Sequence, residues 1–129
     1  MKKLLAAAAV AALALTGCAS GGNTESTSDD NTFVVGMECA YAPFNWQTST
    51  ETDTSVPLGS NGYADGYDVR VAQYIADELG MDLEIKTISW DGLLPALESG
   101  EIDAVIAGMT ANEEREEGAD FTTPYYDSE

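Results

Sequence analysis

The sequence contains no histidine, and only two cysteines and five basic residues occur among its 129 residues. Without histidine and without a cysteine pair, a zinc or haem site is not expected. Cys39 also lacks an imidazole that could activate it as a nucleophile, so we predict a small buried side chain there. These absences argue against an enzyme, and we expect no cofactor, no metal and no catalytic residue.

Basic residues are scarce along the whole chain. Beyond residue 32 there are only Arg70, Lys86 and Arg115, whereas all 23 acidic residues lie after residue 24. From Cys18 onward the chain therefore carries a net charge near −20 (3 − 23). Nucleic acid is excluded as a partner, because phosphate binding needs a basic surface. The charge favours either solubility outside a cell or steering of a cationic ligand, and the sequence leaves both open.

The N-terminal segment has the composition of an export signal. Two lysines precede twelve apolar residues, 4–15, and small residues then lead to Cys18. Twelve helical residues span about 18 Å, less than the roughly 30 Å hydrocarbon core, so a transmembrane helix is not expected. The pattern resembles a bacterial lipoprotein signal. We predict a signal peptide over 1–17, a lipid anchor on Cys18 that holds the protein at the cell membrane, and a flexible tether over 18–32.

Strand and helix patterns alternate from residue 33 onward. The predicted strands are 33–37, 82–87, 103–107 and 121–123, and the predicted helices are 68–79, 91–99 and a short one that starts at Thr110. Asp68 is the expected N-cap of the first helix, Gly80 and Gly100 are the expected stops, and Thr110 opens a Thr-x-x-Glu capping box. Residues 47–62, rich in Thr, Ser and Gly, indicate a functional rim loop or disorder.

This order of elements predicts an α/β fold with a mostly parallel sheet and flanking helices. Ligands of such sheets bind at the carboxyl ends of the strands. Three turns fall at these ends, at residues 36–44, 89–93 and 107–110, and each carries polar or aromatic side chains. We therefore expect the ligand site to be built from these turns.

The residues in and beside these turns suit a zwitterion. Arg115 offers a planar fork of donors that matches a carboxylate. The Thr110 N–H, at a predicted helix start, adds a donor at the positive end of the helix dipole. Gly108 lets the backbone come close enough to offer its carbonyl to an ammonium group. Tyr41 and Trp90 are candidates to sandwich a flat or cationic side chain.

Several segments, in this order and spacing, resemble the first lobe of the polar amino-acid-binding proteins of ABC importers, the extracytoplasmic solute-binding protein family 3. These segments are VGMECAYAPFNW, GYDVRVAQYIADELG, WDGLLPALESGEIDAVIAGMT, ER and FTTPYY. The resemblance implies a type II periplasmic-binding-protein fold and delivery of a free amino acid to an ABC transporter permease. The acidic surface of this chain and its two aromatic residues, Tyr41 and Trp90, favour Arg, Lys, His or Gln as the ligand.

The resemblance also implies roles for individual residues. Arg115 corresponds to the arginine that grips the ligand α-carboxylate, and Gly108 and Thr110 correspond to residues that contact the ligand backbone. Tyr41 and Trp90 match the aromatic residues that pack its side chain. One further ligand-binding residue is expected at Glu38, where members of the family often carry Asp.

Residues 33–129 resemble only the first of two lobes, so we expect a truncated first lobe that lacks the acidic partner for the ligand ammonium. Half a site predicts that the isolated chain does not bind an amino acid at micromolar strength. Two other functions share the fold. One is an enzyme, similar to cyclohexadienyl or arogenate dehydratases, and the other is the sensor domain of a receptor.

Overall fold

The computed structural model describes residues 31–127. The predicted signal peptide over 1–17, the lipid attachment at Cys18 and most of the predicted tether lie outside these residues. The first strand begins at Thr32, the last residue of the predicted tether. In chain order the elements are β1 (Thr32–Met37), β2 (Ala40–Tyr41), β3 (Asn45–Thr48), β4 (Val56–Pro57), β5 (Tyr63–Asp65), α1 (Tyr67–Leu79), β6 (Asp82–Thr87), α2 (Trp90–Ser99), β7 (Ala104–Val105) and α3 (Glu113–Glu116).

Three strands form a parallel sheet in the order β6-β1-β7, which confirms the predicted α/β fold class. β1 pairs with β6 along its whole length, from Thr32 opposite Asp82 to Met37 opposite Thr87. β7 is shorter than predicted and pairs with β1 through two residues only. Five of the six β1 residues are buried, as expected for a central parallel strand covered on both faces.

The two long helices end where the glycines predict. Gly80 and Gly100 adopt left-handed φ angles of 66° and 79°, and their N–H groups donate to carbonyls of the preceding turn. The helix starts differ from the prediction. α1 begins at Tyr67, with Gly66 as its N-cap residue, so Asp68 is not the cap. Asp68 lies inside the first turn and is completely buried.

A second sheet is antiparallel, with the order β2-β3-β5-β4, and the sequence did not predict it. It takes in part of the segment 47–62, which therefore is not simply a loop. β4 pairs with β5, and a 3-10 helix spans Gly59–Asn61. The hydroxyls of Thr52 and Thr54 both donate to the Asp65 carboxylate at 2.8 Å, which ties the polar part of the segment to β5.

Two predictions near the C-terminal end of the described residues are wrong. α3 begins at Glu113 and its cap is Asn112, whose Oδ1 accepts the Arg115 N–H at 2.9 Å, so Thr110 does not open the helix. Residues 121–123 form no strand, and the Thr122 hydroxyl donates to the Thr123 carbonyl instead. Pro124, which has no N–H to donate to a neighbouring strand, follows directly.

Candidate functional site

The turn after β1 is joined to the start of α2 through Glu38. Its Oε1 accepts the N–H of Trp90 at 3.3 Å, although the two residues are 52 positions apart. The α2 N-cap residue, Ser89, gives no side-chain cap of its own. The Glu38 carboxylate therefore satisfies one of the free N–H groups at the helix start, where a negative charge is also favoured by the helix dipole.

Arg115 is held by two contacts. Its Nη1 donates to the Thr110 carbonyl at 2.6 Å, and its Cζ lies 5.4 Å from the centre of the Trp90 ring. Four glutamates flank it in the sequence, yet within residues 31–127 the one salt bridge is Lys86–Glu101. The guanidinium is thus half-buried against an indole, without a carboxylate partner among the described residues.

Thr110 contributes in a different way from the one predicted. It precedes the start of α3 by three residues, and α3 has only four residues, so the expected helix-dipole contribution is absent. The Thr110 carbonyl instead fixes the Arg115 side chain. Among residues 31–127, no partner is present for the Thr110 N–H or hydroxyl, and both are exposed donors beside the guanidinium.

Gly108 lies beneath Tyr41 in a conformation that suits glycine. Its φ is 65°, and a Cβ placed there would lie 3.5 Å from the Tyr41 ring carbon Cε1. Tyr41 is about half exposed and stacks on Phe44, with ring centres 5.1 Å apart and planes inclined by 22°. Tyr41 therefore presents an aromatic face next to the backbone that follows β7.

The predicted site residues consequently form one continuous region at the carboxyl ends of the parallel strands. One set of contacts runs from Glu38 through Trp90 and Arg115 to Thr110. Tyr41 lies close to Gly108, since a Cβ there would reach its ring, and only one residue separates Gly108 from Thr110 in the chain. The structure brings together all six residues, which are Glu38, Tyr41, Trp90, Gly108, Thr110 and Arg115.

A buried polar network behind this region was missed at the sequence level. Asp68 accepts from the Tyr125 hydroxyl at 2.6 Å and from Asn45 Nδ2 at 2.7 Å, and Asn45 Oδ1 accepts the Cys39 N–H at 2.8 Å. Asn45 and Asp68 have no exposed surface. The sequence signal for this network was the presence of Asn45 and Asp68 inside otherwise apolar or aromatic segments, because buried polar groups need hydrogen-bond partners.

Burial sets the ionisation of this network. It raises the pKa of Asp68 above the ordinary value, and the hydrogen bonds from Tyr125 and Asn45 only partly offset this effect. Burial, with the neighbouring Asp68 carboxylate, also raises the pKa of Tyr125. Cys39 is buried as predicted, and burial raises the pKa of its thiol. The Tyr125 phenol therefore stays protonated and acts as a donor to Asp68.

Aromatic rings extend the site away from Tyr41. Phe44 contacts Tyr126 and Tyr67 edge to face, at 5.1 and 6.1 Å between ring centres, and Tyr67 stacks on Tyr125 at 5.9 Å. Tyr41, Tyr67 and Tyr126 remain exposed. These rings therefore form one partly exposed aromatic cluster that continues from Tyr41.

The cavities of residues 31–127 lie elsewhere. A cavity of about 720 Å³ between α1, α2 and residues 116–125 is lined mainly by aliphatic side chains, with no Lys or Arg in its described wall. A smaller one of about 400 Å³ lies beside Phe44 and Arg70. Neither includes a predicted site residue, so the predicted site is an open surface. The apolar cavity lacks a group for a carboxylate, so we place the chemistry at the open surface.

Two other kinds of feature are absent from the described part of the chain. Residues 31–127 contain no group of three His, Cys, Asp or Glu side chains arranged to hold a metal ion. None of their helices is both long and apolar enough to cross a membrane.

A sequence model of the bacterial extracellular solute-binding proteins, family 3, matches residues 33–129. The chain belongs to this family. The match covers all of the predicted site, and the parallel sheet with its loops at the carboxyl ends is the arrangement expected of the type II periplasmic-binding-protein fold. The sequence resemblance that predicted this family and fold is thereby confirmed.

Several characterised proteins and solved structures resemble this chain over part of their own length. The L-cystine-binding protein TcyJ of Escherichia coli is 34% identical over 95% of the chain, which spans 42% of that protein. The arginine-bound form of domain 1 from TmArgBP is 35% identical, with a TM-score of 0.63, covering 75% of this chain and 68% of that one. An ancestral cyclohexadienyl dehydratase, AncCDT-3(P188L), is 29% identical, with a TM-score of 0.61, covering 74% and 35% respectively.

Proposed function

We propose that this chain is the first lobe of an amino-acid-binding protein and that Arg115 binds the α-carboxylate of a free amino acid. The observation that carries the proposal is the state of its guanidinium. It is fixed by the Thr110 carbonyl and the Trp90 ring while no carboxylate pairs with it in residues 31–127. A solvated helix charge among four glutamates has no need of such restraint. A preformed donor fork binds a carboxylate at a low entropic cost.

The rest of the ligand backbone fits the groups beside this arginine. The N–H and hydroxyl of Thr110 supply further donors to the carboxylate, and the backbone at Gly108 supplies an acceptor for the ammonium. Because the Arg115 guanidinium occupies a face of Trp90, we assign Trp90 chiefly to holding that guanidinium. The exposed ring of Tyr41, supported by Phe44, then packs the ligand side chain.

L-arginine is the ligand that we propose. A cationic side chain suits the free Tyr41 ring and a surface with 23 acidic residues against five basic ones. The arginine-bound state of domain 1 from TmArgBP supports this choice, and it also supports measurable binding by one lobe. We therefore now expect the isolated chain to bind L-arginine, in place of the weaker binding inferred from sequence alone.

The wider biological role follows the family. We propose that the complete protein is extracytoplasmic, is anchored to the cell membrane by a lipid on Cys18, and delivers its amino acid to an ABC transporter permease. The lipoprotein-like N-terminal sequence supports the anchor. The domain assignment is residues 1–17 as signal peptide, 18–32 as lipidated tether and 33–129 as first lobe.

Calorimetric titration of the purified chain with L-arginine tests the proposal, with L-glutamine as a neutral comparison. We expect Arg115→Ala to weaken L-arginine binding by about 30-fold or more, because charge-assisted hydrogen bonds contribute about 1.5 to 3 kcal/mol each. Arg70→Ala is the matched control, since it removes the same charge from α1 beside a different cavity. Equal loss in both variants, or none in Arg115→Ala, would contradict the assignment.

A second candidate function is catalytic. The similarity to the ancestral cyclohexadienyl dehydratase favours it, because binding proteins and enzymes share this fold. Incubation of the chain with arogenate, while the ultraviolet absorbance of an aromatic product is recorded, tests this alternative. Product formation by the wild-type chain that a heat-denatured sample lacks would replace the binding function as our conclusion.

A further inference from the structure

We infer that Tyr125 is a positioning residue of the binding site, which fixes the backbone at Gly108 through its phenol group. The inference rests on the proposed function of that site. The Tyr125 hydroxyl donates to Asp68 Oδ1 at 2.6 Å and accepts the Gly108 N–H at 3.3 Å. A single oxygen atom thereby links the ligand-facing backbone to a completely buried carboxylate.

Tyr125 is held at both ends by the start of α1. The Tyr67 hydroxyl donates to the Tyr125 carbonyl at 2.9 Å, and the two rings stack with planes inclined by 24°. The next residue, Asp68, holds the phenol. The helix start is itself fixed, because the N–H groups of Tyr67 and Asp68 donate to the carbonyls of Pro43 and Phe44 at 3.1 and 2.7 Å. The phenol therefore has a defined position.

The Asp68 carboxylate also fixes the turn after β1, on the side of the site opposite Gly108. Asn45 donates to Asp68 and accepts the Cys39 N–H, which belongs to the turn between Glu38 and Tyr41. Asp68 thus connects the turn after β1 with the turn after β7. Tyr41 and Gly108, which lie close to each other, are each tied to one side of this buried group.

The hydroxyl matters because Gly108 is conformationally free. Glycine adopts positive and negative φ about equally well, so little in the residue itself retains its φ of 65°. The bond to Tyr125 fixes the peptide that joins Ala107 to Gly108. This restraint on one side of Gly108 helps to hold the following peptide, which carries the carbonyl offered to the ligand ammonium. Loss of that restraint leaves the contact surface intact but removes its preorganisation, which lowers affinity.

Tyr125 could act through its ring, as a structural residue does, or through its hydroxyl, as a positioning residue would. Paired Tyr→Phe variants separate these two roles. Tyr125→Phe keeps the ring and removes the hydroxyl that reaches Gly108 and Asp68. Tyr74→Phe is the matched control, because it removes the same group from an exposed ring of α1 that belongs neither to the site nor to the buried network. We expect Tyr125→Phe to raise the Kd for L-arginine about 3- to 10-fold and Tyr74→Phe less than about 2-fold.

Amide hydrogen exchange of Gly108, followed by NMR on the purified chain without ligand, gives a readout that does not depend on binding. We expect exchange at Gly108 to accelerate about 10-fold in Tyr125→Phe and to stay within about 2-fold of wild type in Tyr74→Phe. Unchanged exchange and affinity in Tyr125→Phe, while the wild-type chain binds L-arginine, would overturn the inference and leave the proposed function standing. Absence of wild-type binding would instead defeat the proposed function.

A measurement on the wild-type chain covers the case in which Tyr125→Phe does not fold. A hydroxyl proton bonded to a buried carboxylate exchanges slowly with water, so it is expected as a separate proton resonance. A nuclear Overhauser contact between this proton and the Gly108 amide proton supports the inference. Detection of the hydroxyl proton without that contact would refute it.

Discussion

Asn45 offers a direct test of the buried network, through the change Asn45→Ala. The side chain is completely buried and makes two short hydrogen bonds, one to the Cys39 N–H and one to the Asp68 carboxylate. Alanine has neither a donor nor an acceptor and leaves a space between β3 and the helix start. Both partners of Asn45 then lose a hydrogen bond in a place that the surrounding side chains close to water.

The expected cost follows from these two losses. A neutral hydrogen bond contributes about 1 kcal/mol, one to a charged group contributes about 1.5 to 3 kcal/mol, and an unsatisfied buried partner adds to this. We therefore expect Asn45→Ala to lower the free energy of unfolding by about 3 kcal/mol. With a urea m-value of about 1.5 kcal/mol/M, the midpoint falls by about 2 M.

Urea unfolding followed by tryptophan fluorescence measures this shift. Asn112→Ala is the matched control, because that asparagine is exposed and makes a single cap bond to the Arg115 N–H in a helix of four residues. Its expected cost is about 1 kcal/mol or less. A midpoint for Asn45→Ala that lies within experimental error of the Asn112→Ala midpoint would show that the buried network adds little to stability, and our reasoning would fail.

Two further predictions concern pH and packing. Because burial raises the pKa of Asp68 above its unfolded value of about 3.9, the native state binds more protons between these two values, and the unfolding free energy falls as pH rises through that window. In thermal unfolding from about pH 3 to 7, the stability of Asp68→Asn should therefore fall less steeply with pH than that of the wild type. Parallel stability profiles for the two proteins would contradict this. A Cβ at Gly36 would lie 2.6 Å from Ile102 Cδ1, so Gly36→Ala should cost about 1 to 3 kcal/mol in urea unfolding, and an unchanged midpoint would contradict the overpacking.

Local signals in the sequence were enough to predict the parallel half of the fold. The strand β1 is an uninterrupted apolar run, and the stops at Gly80 and Gly100 depend only on the backbone freedom of glycine. The clustering of the candidate residues was also largely predictable, since the carboxyl ends of parallel strands meet at one edge. Trp90 could be placed at that edge from the order of the elements, whereas Arg115, 25 positions away (115 − 90), was selected through the family resemblance.

Features that depend on distant partners were not predictable in this way. The antiparallel sheet consists of strands of two to four residues, too short for a period-two pattern, and its pairing is set by tertiary contacts. Asp68 has the sequence character of an N-cap, but it is buried because Asn45 and Tyr125 supply its donors. At α3 two cap residues compete locally, and Asn112 prevails over Thr110.

The contact between Glu38 and the start of α2 has a practical consequence for changing ligand preference. In the proposed site, a shorter or apolar side chain at residue 38 would alter what lies next to the solute, and it would also remove the acceptor of the Trp90 N–H. Because the indole supports Arg115, which we propose to bind the ligand carboxylate, such a change would alter overall affinity together with selectivity for the ligand side chain. Screens at this position need to score overall affinity and discrimination separately, because one substitution moves both.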